Sequence, residues 1–212
     1  MIYYFDKVRE CVFKGDDKGA IDLLEDYCSK NDRDVHARFL LAFLLVNTQV
    51  YADGFLSAID LLKYNLTLDP SHGQSLILLA YVDSEYDGGI REDVNCLLEK
   101  CLMKNDVHHF RKYLFLLSAE YYSVFNRNKY IFLLHKSIEE DPVGVYNYIY
   151  LGRVLRDKTV FNIGINNIKV ILAANDATFD ALNFEDFCEE NIRGSRMTAV
   201  NYYGLKEEMN RM

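Results

Sequence analysis

Long apolar stretches alternate with short polar interruptions along the chain. HARFLLAFLLVN is followed by GFLSAIDLLKYNL, SLILLAYVDSEY by REDVNCLLEKCL, RKYLFLLSAEYYSVF by KYIFLLHKSI, and VYNYIYLGRVL by FNIGINNIKVILA. Stretches of this length outrun ordinary strands and predict helices. The interruptions are acidic or amide stops: Asn31-Asp32, Asp69-Pro70, Asn105-Asp106, Asp141-Pro142 and Asn175-Asp176. Asn and Asp favour turns and helix caps, and Pro cannot continue one helix but opens the next without strain. Two helices therefore fit between successive stops.

The stops recur at a near-constant period. Their second residues lie 38, 36, 36 and 34 positions apart. A leucine followed by a small residue keeps a similar step, at Leu41-Ala42, Leu79-Ala80, Leu117-Ser118 and Leu151-Gly152. A third series stands twelve residues before each stop: Ala20, Ala58, Val94, Tyr130 and Gly164. Gly152 is the odd member, because glycine inside a helix costs about 1 kcal/mol relative to alanine. A close crossing of two helices would offset that penalty through tighter packing. The same logic tolerates alanine at Gly152 and forbids leucine.

A helix-turn-helix unit of this length resembles the tetratricopeptide repeat. The resemblance is carried by Tyr148, Leu151 and Gly152, by Ala20 and Ala58, and by the closing Pro70 and Pro142. The longer spacings, and the glycine-rich turn in YDGGIREDVNCLLEKCL, also resemble the Sel-like variants. The resemblance implies an all-α fold, a right-handed superhelical stack of antiparallel helix pairs. About five pairs would occupy residues 1–176, the first of them short. Residues 177–212 depart from the period and are expected to form an acidic C-terminal capping segment, because solenoids need a polar terminal element.

Composition narrows the function. The chain has 212 residues, a formal net charge of −8, two prolines, no tryptophan, 16 tyrosines and 13 phenylalanines. No Lys/Arg cluster stands out, which argues against nucleic acid. The longest apolar run, FLLAFLLV at 39–46, is far below the ~20 residues needed to span a bilayer. The N-terminal MIYYFDKVRE meets acidic residues too early for a signal peptide. Five cysteines, an odd number without a C-x-x-C pair, suit reduced thiols in a cytoplasmic protein. The N-L-T acceptor pattern at Asn65 carries little weight without a secretion signal.

Catalytic signatures are absent: no phosphate loop, no G-x-G-x-x-G, no H-E-x-x-H and no G-x-S-x-G. His108 and His109 diverge on a helix, and His72 reads as a solvated helix-start residue. Cys96 and Cys101 lie about 140° apart around a helix, so they share no face. No enzyme, cofactor or metal is expected.

Binding is the remaining class. The resemblance implies a concave surface lined by the first helix of each pair. On this chain it falls on His36, Phe39, Phe43 and Asn47, then Gln74, Ile77, Tyr81, Ser84 and Glu85. The third pair adds Lys112, Phe115, Tyr122 and Ser123, and the fourth Tyr146, Ile149, Arg153, Arg156 and Asp157. The partner-binding residues expected are Tyr81, Glu85, Phe115, Tyr122, Tyr146, Ile149, Arg153 and Arg156, since Tyr and Arg dominate interface hot spots. The function expected is a non-catalytic protein-binding module for a protein or peptide, as a monomer or weak homodimer. A sharper version is an immunity protein masking a basic toxin domain, steered by the net negative charge. A ligand- or peptide-sensing regulator is the alternative, and the acidic tail at Glu185–Glu190 the alternative contact.

Overall fold

The computed structural model describes residues 2–48, 50–104, 110–174, 182–194 and 199–212. The stops at 105–106 and 175–176, with His108 and His109, lie outside them. The described residues form twelve helices and no strand. In chain order these are α1 (Ile2–Phe13), α2 (Asp17–Lys30), α3 (Val35–Thr48), α4 (Gly54–Leu68), α5 (Gly73–Asp87) and α6 (Glu92–Leu102). They continue as α7 (Arg111–Tyr122), α8 (Arg127–Glu140), α9 (Tyr146–Leu155), α10 (Lys158–Ala174), α11 (Phe184–Asn191) and α12 (Ala199–Arg211).

The polar stops act as the sequence pattern requires. Asn31, Asp69 and Asp141 are the C-caps of α2, α4 and α8. After the turn at Pro70, the Asp69 carboxylate accepts from Ser71 N at 2.9 Å and Ser71 Oγ at 2.7 Å. Asp16 and Asn126 cap the starts of α2 and α8 through Gly19 N and Lys129 N. These bonds satisfy backbone groups that a helix end leaves open.

The chain divides into two compact units. The first comprises Met1–Leu97 with Asp180–Phe184, the second Leu98–Phe179 with Glu185–Met212. In the first, α1 packs on α2, α2 on α3, α3 on α4 and α4 on α5. Ala20, Ala42, Ala58 and Ala80 are all fully buried, as expected of positions where helices touch. A buried polar cluster joins α3 to α4. Asn65, fully buried, donates to Val35 O at 2.9 Å and to Ser75 Oγ at 3.2 Å, and accepts from Arg38 Nη1 at 3.2 Å. Arg38 also donates to Asp32 O, and its guanidinium lies 4.4 Å from the Tyr64 ring centre. Burial closes Asn65 to glycosylation in the folded chain.

In the second unit α7 packs on α8, α8 on α9, α9 on α10 and α10 on α12. Ser137 on α8 donates to Lys112 O at 3.2 Å. Asn65 and Ser137 each stand four residues before their stop, so one device ties the second helix of a pair to the start of its first helix. Gly152 sits at the α9–α10 crossing. A Cβ added there would fall 2.6 Å from Phe161 N and 2.7 Å from Phe161 Cα. Alanine is therefore not tolerated without a shift of backbone against backbone, which corrects the expectation from helix propensity alone.

Candidate interaction surface

Each expected contact residue is placed by a first helix. Tyr81 is half-buried and Glu85 exposed, both toward the end of α5. Nearby in the same unit, His72 is half-buried at the N-cap of α5, and its ring meets Phe39 edge-on at 5.7 Å. It is not the solvated residue expected, and burial lowers its pKa. Phe39 and Phe43 stack, with ring centres 6.1 Å apart. Phe184 meets both edge-on, at 5.0 and 5.5 Å. Their outer side is therefore covered by a residue of the C-terminal segment.

In the second unit Phe115 is 8% exposed, with the Arg111 guanidinium 5.6 Å from its ring centre. Tyr122 is half-buried and donates to Glu99 Oε1 at 2.9 Å. Lys129 Nζ donates to the Tyr122 hydroxyl at 2.9 Å and lies 4.2 Å from its ring centre. Tyr146 is half-buried and stacked on Tyr150 at 5.5 Å. Arg153 donates to Glu208 Oε1 and Oε2 at 2.6 and 2.7 Å. Those bonds hold the Glu208 carboxyl below its ordinary range. Arg156 is exposed and closes α9 in the left-handed region, at φ 55°.

Ile149 leaves the surface. It is 1% exposed, in a core with Val145, Phe161, Ile165, Ile168 and Leu205. Its position faces α10 and α12 rather than a groove, since a one-residue error in helical phase turns a side chain by about 100°.

A further polar cluster joins Lys112 of the expected stripe and Glu189 of the acidic tail to Tyr113 and Arg193, which sequence reasoning passed over. Glu189, on α11, accepts from Lys112 Nζ at 2.6 Å and from Tyr113 Oη at 2.5 Å. Arg193 binds the other Glu189 oxygen, and grips Asp141 with a two-pronged fork at 2.5 and 2.8 Å. Burial pushes the Glu189 carboxyl up, but the bonds from Lys112, Tyr113 and Arg193 outweigh it, so its pKa is lowered. Burial, then the bond to Glu189, drives the Tyr113 hydroxyl upward. Tyr146 N donates to Arg193 O at 3.3 Å. Gly194 follows in the left-handed region, at φ 78°, and a Cβ there would fall 2.7–2.8 Å from the Tyr146 ring. The signals in the sequence were Lys112 on the expected stripe and the acids of the tail. Their pairing over 77 positions was not readable.

The described residues contain no cluster of His, Cys, Asp and Glu fit to hold a metal ion. No disulfide joins the five cysteines, of which Cys96 is exposed and Cys101 buried. No described helix is long and apolar enough to cross a membrane.

No family model matches the chain, and no curated protein matches it. Solved structures do. The crystal structure of MamA protein aligns with a TM-score of 0.64 at 19% identity, over 84% of this chain and 97% of its own. MamA 41-end from Desulfovibrio magneticus RS-1 aligns with a TM-score of 0.61 at 15% identity, over 82% and 96%. The MamA RS-1 ArsTM double mutant gives 0.64 at 16% identity, again over 82% and 96%. Identities this low speak to the fold alone. The fold is an all-α, tetratricopeptide-like stack of helix pairs.

Proposed function

We propose that this chain is a non-catalytic protein-interaction module that binds a protein or peptide on the first-helix faces of its pairs. One observation carries the proposal: in the second unit, the face built from α7 and the start of α9 already holds a peptide segment, α11 with Arg193. It does so through Lys112, Tyr113 and Tyr146, together with Asp141 at the end of α8. A face that binds polypeptide within the chain has the chemistry to bind it from outside. The likeness to tetratricopeptide-like structures supports the same conclusion, and an odd number of cysteines without a disulfide supports a reducing, cytoplasmic setting. The glycine-rich turn at Gly88-Gly89 supports kinship with the Sel-like variants.

Tyr81, Glu85, Phe115, Tyr122, Tyr146, Arg153 and Arg156 are the proposed contacts. Those with polar ends at the surface weigh most, because they gain by exchanging water for a partner. Affinity capture from source cells, followed by calorimetry on single alanine variants, tests the assignment. At least two of Tyr81, Tyr122, Tyr146 and Arg153 should cost more than about 1–2 kcal/mol. Lys100→Ala and Lys136→Ala should stay within about 0.5 kcal/mol. Full-strength binding by all four sinks the assignment.

The net charge of −8 supports a sharper version, an immunity protein that masks a basic toxin domain. Affinity that falls as salt rises would favour it, and salt-independent affinity would remove its basis. A peptide-sensing regulator is the second version. It gains support from the internal segment, whose displacement would change the state of the chain.

A further inference from the structure

We propose that the α7–α9 face of the second unit docks an amphipathic helix ending in a Glu-x-x-x-Arg-Gly pattern, and that residues 185–194 are an internal stand-in for that partner. The inference rests on the protein-binding function above and specifies the partner's chemistry.

Three elements of the face define what it accepts. Lys112 Nζ and Tyr113 Oη converge on one carboxylate oxygen of Glu189, at 2.6 and 2.5 Å. Asp141, 7% exposed, receives the planar fork of Arg193, one helical turn later. A lysine cannot match that fork, because it presents a point charge rather than two parallel donors. The first backbone N–H of α9, at Tyr146, is one of the donors a helix start leaves open, and it is met by Arg193 O at 3.3 Å. The next residue must be glycine. Its φ is 78°, and the Tyr146 ring fills the space of a side chain. Within the segment Phe187, Cys188 and Ile192 are 3%, 0% and 5% exposed, so buried apolar side chains complete the pattern.

The hold is mostly polar. A largely buried ion network returns little beyond what its desolvation costs, and so favours matched groups over mere burial. α11 has eight residues, too short to be a stable helix alone. Its order comes from the face it lies on. A partner supplying the same groups meets the same face and competes against the advantage the tether gives the internal copy.

The test uses a fluorescein-labelled synthetic peptide of residues 185–194, titrated by anisotropy against the full chain. The comparison chain carries Glu189→Ala with Arg193→Ala, which loosens the internal segment and leaves Lys112, Tyr113, Asp141 and Tyr146 in place. The variant should bind the peptide at least about tenfold more tightly than the wild type, because the competing copy is weakened. Peptides carrying Arg193→Lys or Gly194→Ala should lose at least about fivefold against the same variant. Equal affinity for both chains overturns the proposal, as does indifference to the peptide substitutions, or absence of binding by a variant with wild-type helix content. If the double variant melts below the assay temperature, Glu189→Gln replaces it. A gain of about threefold then supports the proposal, and no gain overturns it. A peptide that fails while Tyr81→Ala and Tyr122→Ala still weaken the captured partner overturns this inference alone. A peptide that binds while all four alanine variants retain the partner overturns the broader contact assignment.

Discussion

Each unit holds an arginine in a polar cluster, buried for Arg38 and half-buried for Arg193, and the two clusters differ in what supplies the partners. In the first unit Arg38 meets Asn65 and the Asp32 carbonyl, groups at most 27 positions away, on the adjoining helix and the preceding turn. In the second, Arg193 meets Asp141 across 52 positions, and its neighbour Glu189 reaches Lys112 across 77. The first cluster is part of the pair itself: without Asn65, the α3 start loses a tie and Arg38 an acceptor. The second joins a pair to a segment from outside the repeat period. On the proposal above, that segment exchanges for another of like chemistry.

The sharpest way to break this contrast is Asn65→Leu. Leucine fills the volume but leaves the Val35 carbonyl and Arg38 short of partners, and an unpaired buried polar group costs the full desolvation penalty. We expect a loss of about 2–4 kcal/mol by urea unfolding. A wild-type midpoint would show that the cluster does not tie the pair together.

Gly152→Ala probes the pair on which the exchangeable cluster rests. An added Cβ would stand 2.6–2.7 Å from the Phe161 backbone, which outweighs the gain in helix propensity, so a net loss of about 1–3 kcal/mol is expected, larger for leucine. A more stable alanine variant would remove the close crossing from the account of this glycine.

Glu189→Gln should cost less than Asn65→Leu, about 1–2 kcal/mol near neutral pH, because the amide keeps one acceptor for Lys112 and Tyr113. The folded state lowers the Glu189 pKa from its ordinary 4.5, so the unfolded chain takes up the proton first. The carboxylate's contribution is complete above about pH 5.5 and is lost as pH falls through the lowered folded value. Melting curves between pH 6 and 3 should slope less steeply for the glutamine variant, and parallel curves would rule out this carboxylate as a source of acid sensitivity.

Arg153→Met gives the smallest effect. The side chains of its pair with Glu208 are 41% and 38% exposed, and such pairs contribute about 0–1 kcal/mol. Thermal melts within experimental error of the wild type are expected below about 0.5 kcal/mol. A loss above about 2 kcal/mol would move α12 from a lightly held element to an integral one.

Much of the fold was legible because its determinants are local. Helix length follows from apolar stretches, helix ends from Asn31, Asp69 and Asp141, and close crossings from small residues at a constant step. Those features act within one or two turns of chain, so composition and spacing reveal them. Net charge was a weaker guide: −8 for the whole chain points to a basic partner, yet Lys112 and Arg153 each hold an acid at 2.6 Å. The phase of the stripe was legible to about one residue, too coarse to foresee that Ile149 is 1% exposed.

By itself the sequence determined the repeat, the helix pairs and the places where α9 and α10 must touch, since each depends on neighbours within about forty positions. Only the tertiary structure decided what covers the first-helix faces. Phe184 lies on Phe39 and Phe43, Glu189 on Lys112 and Tyr113, and Gly194 under Tyr146. Residues 182–194 break the repeat period, so no spacing within the pairs specifies where they dock. Their position is set by matching a carboxylate, a guanidinium and a bare backbone to groups that meet only after the helices have packed.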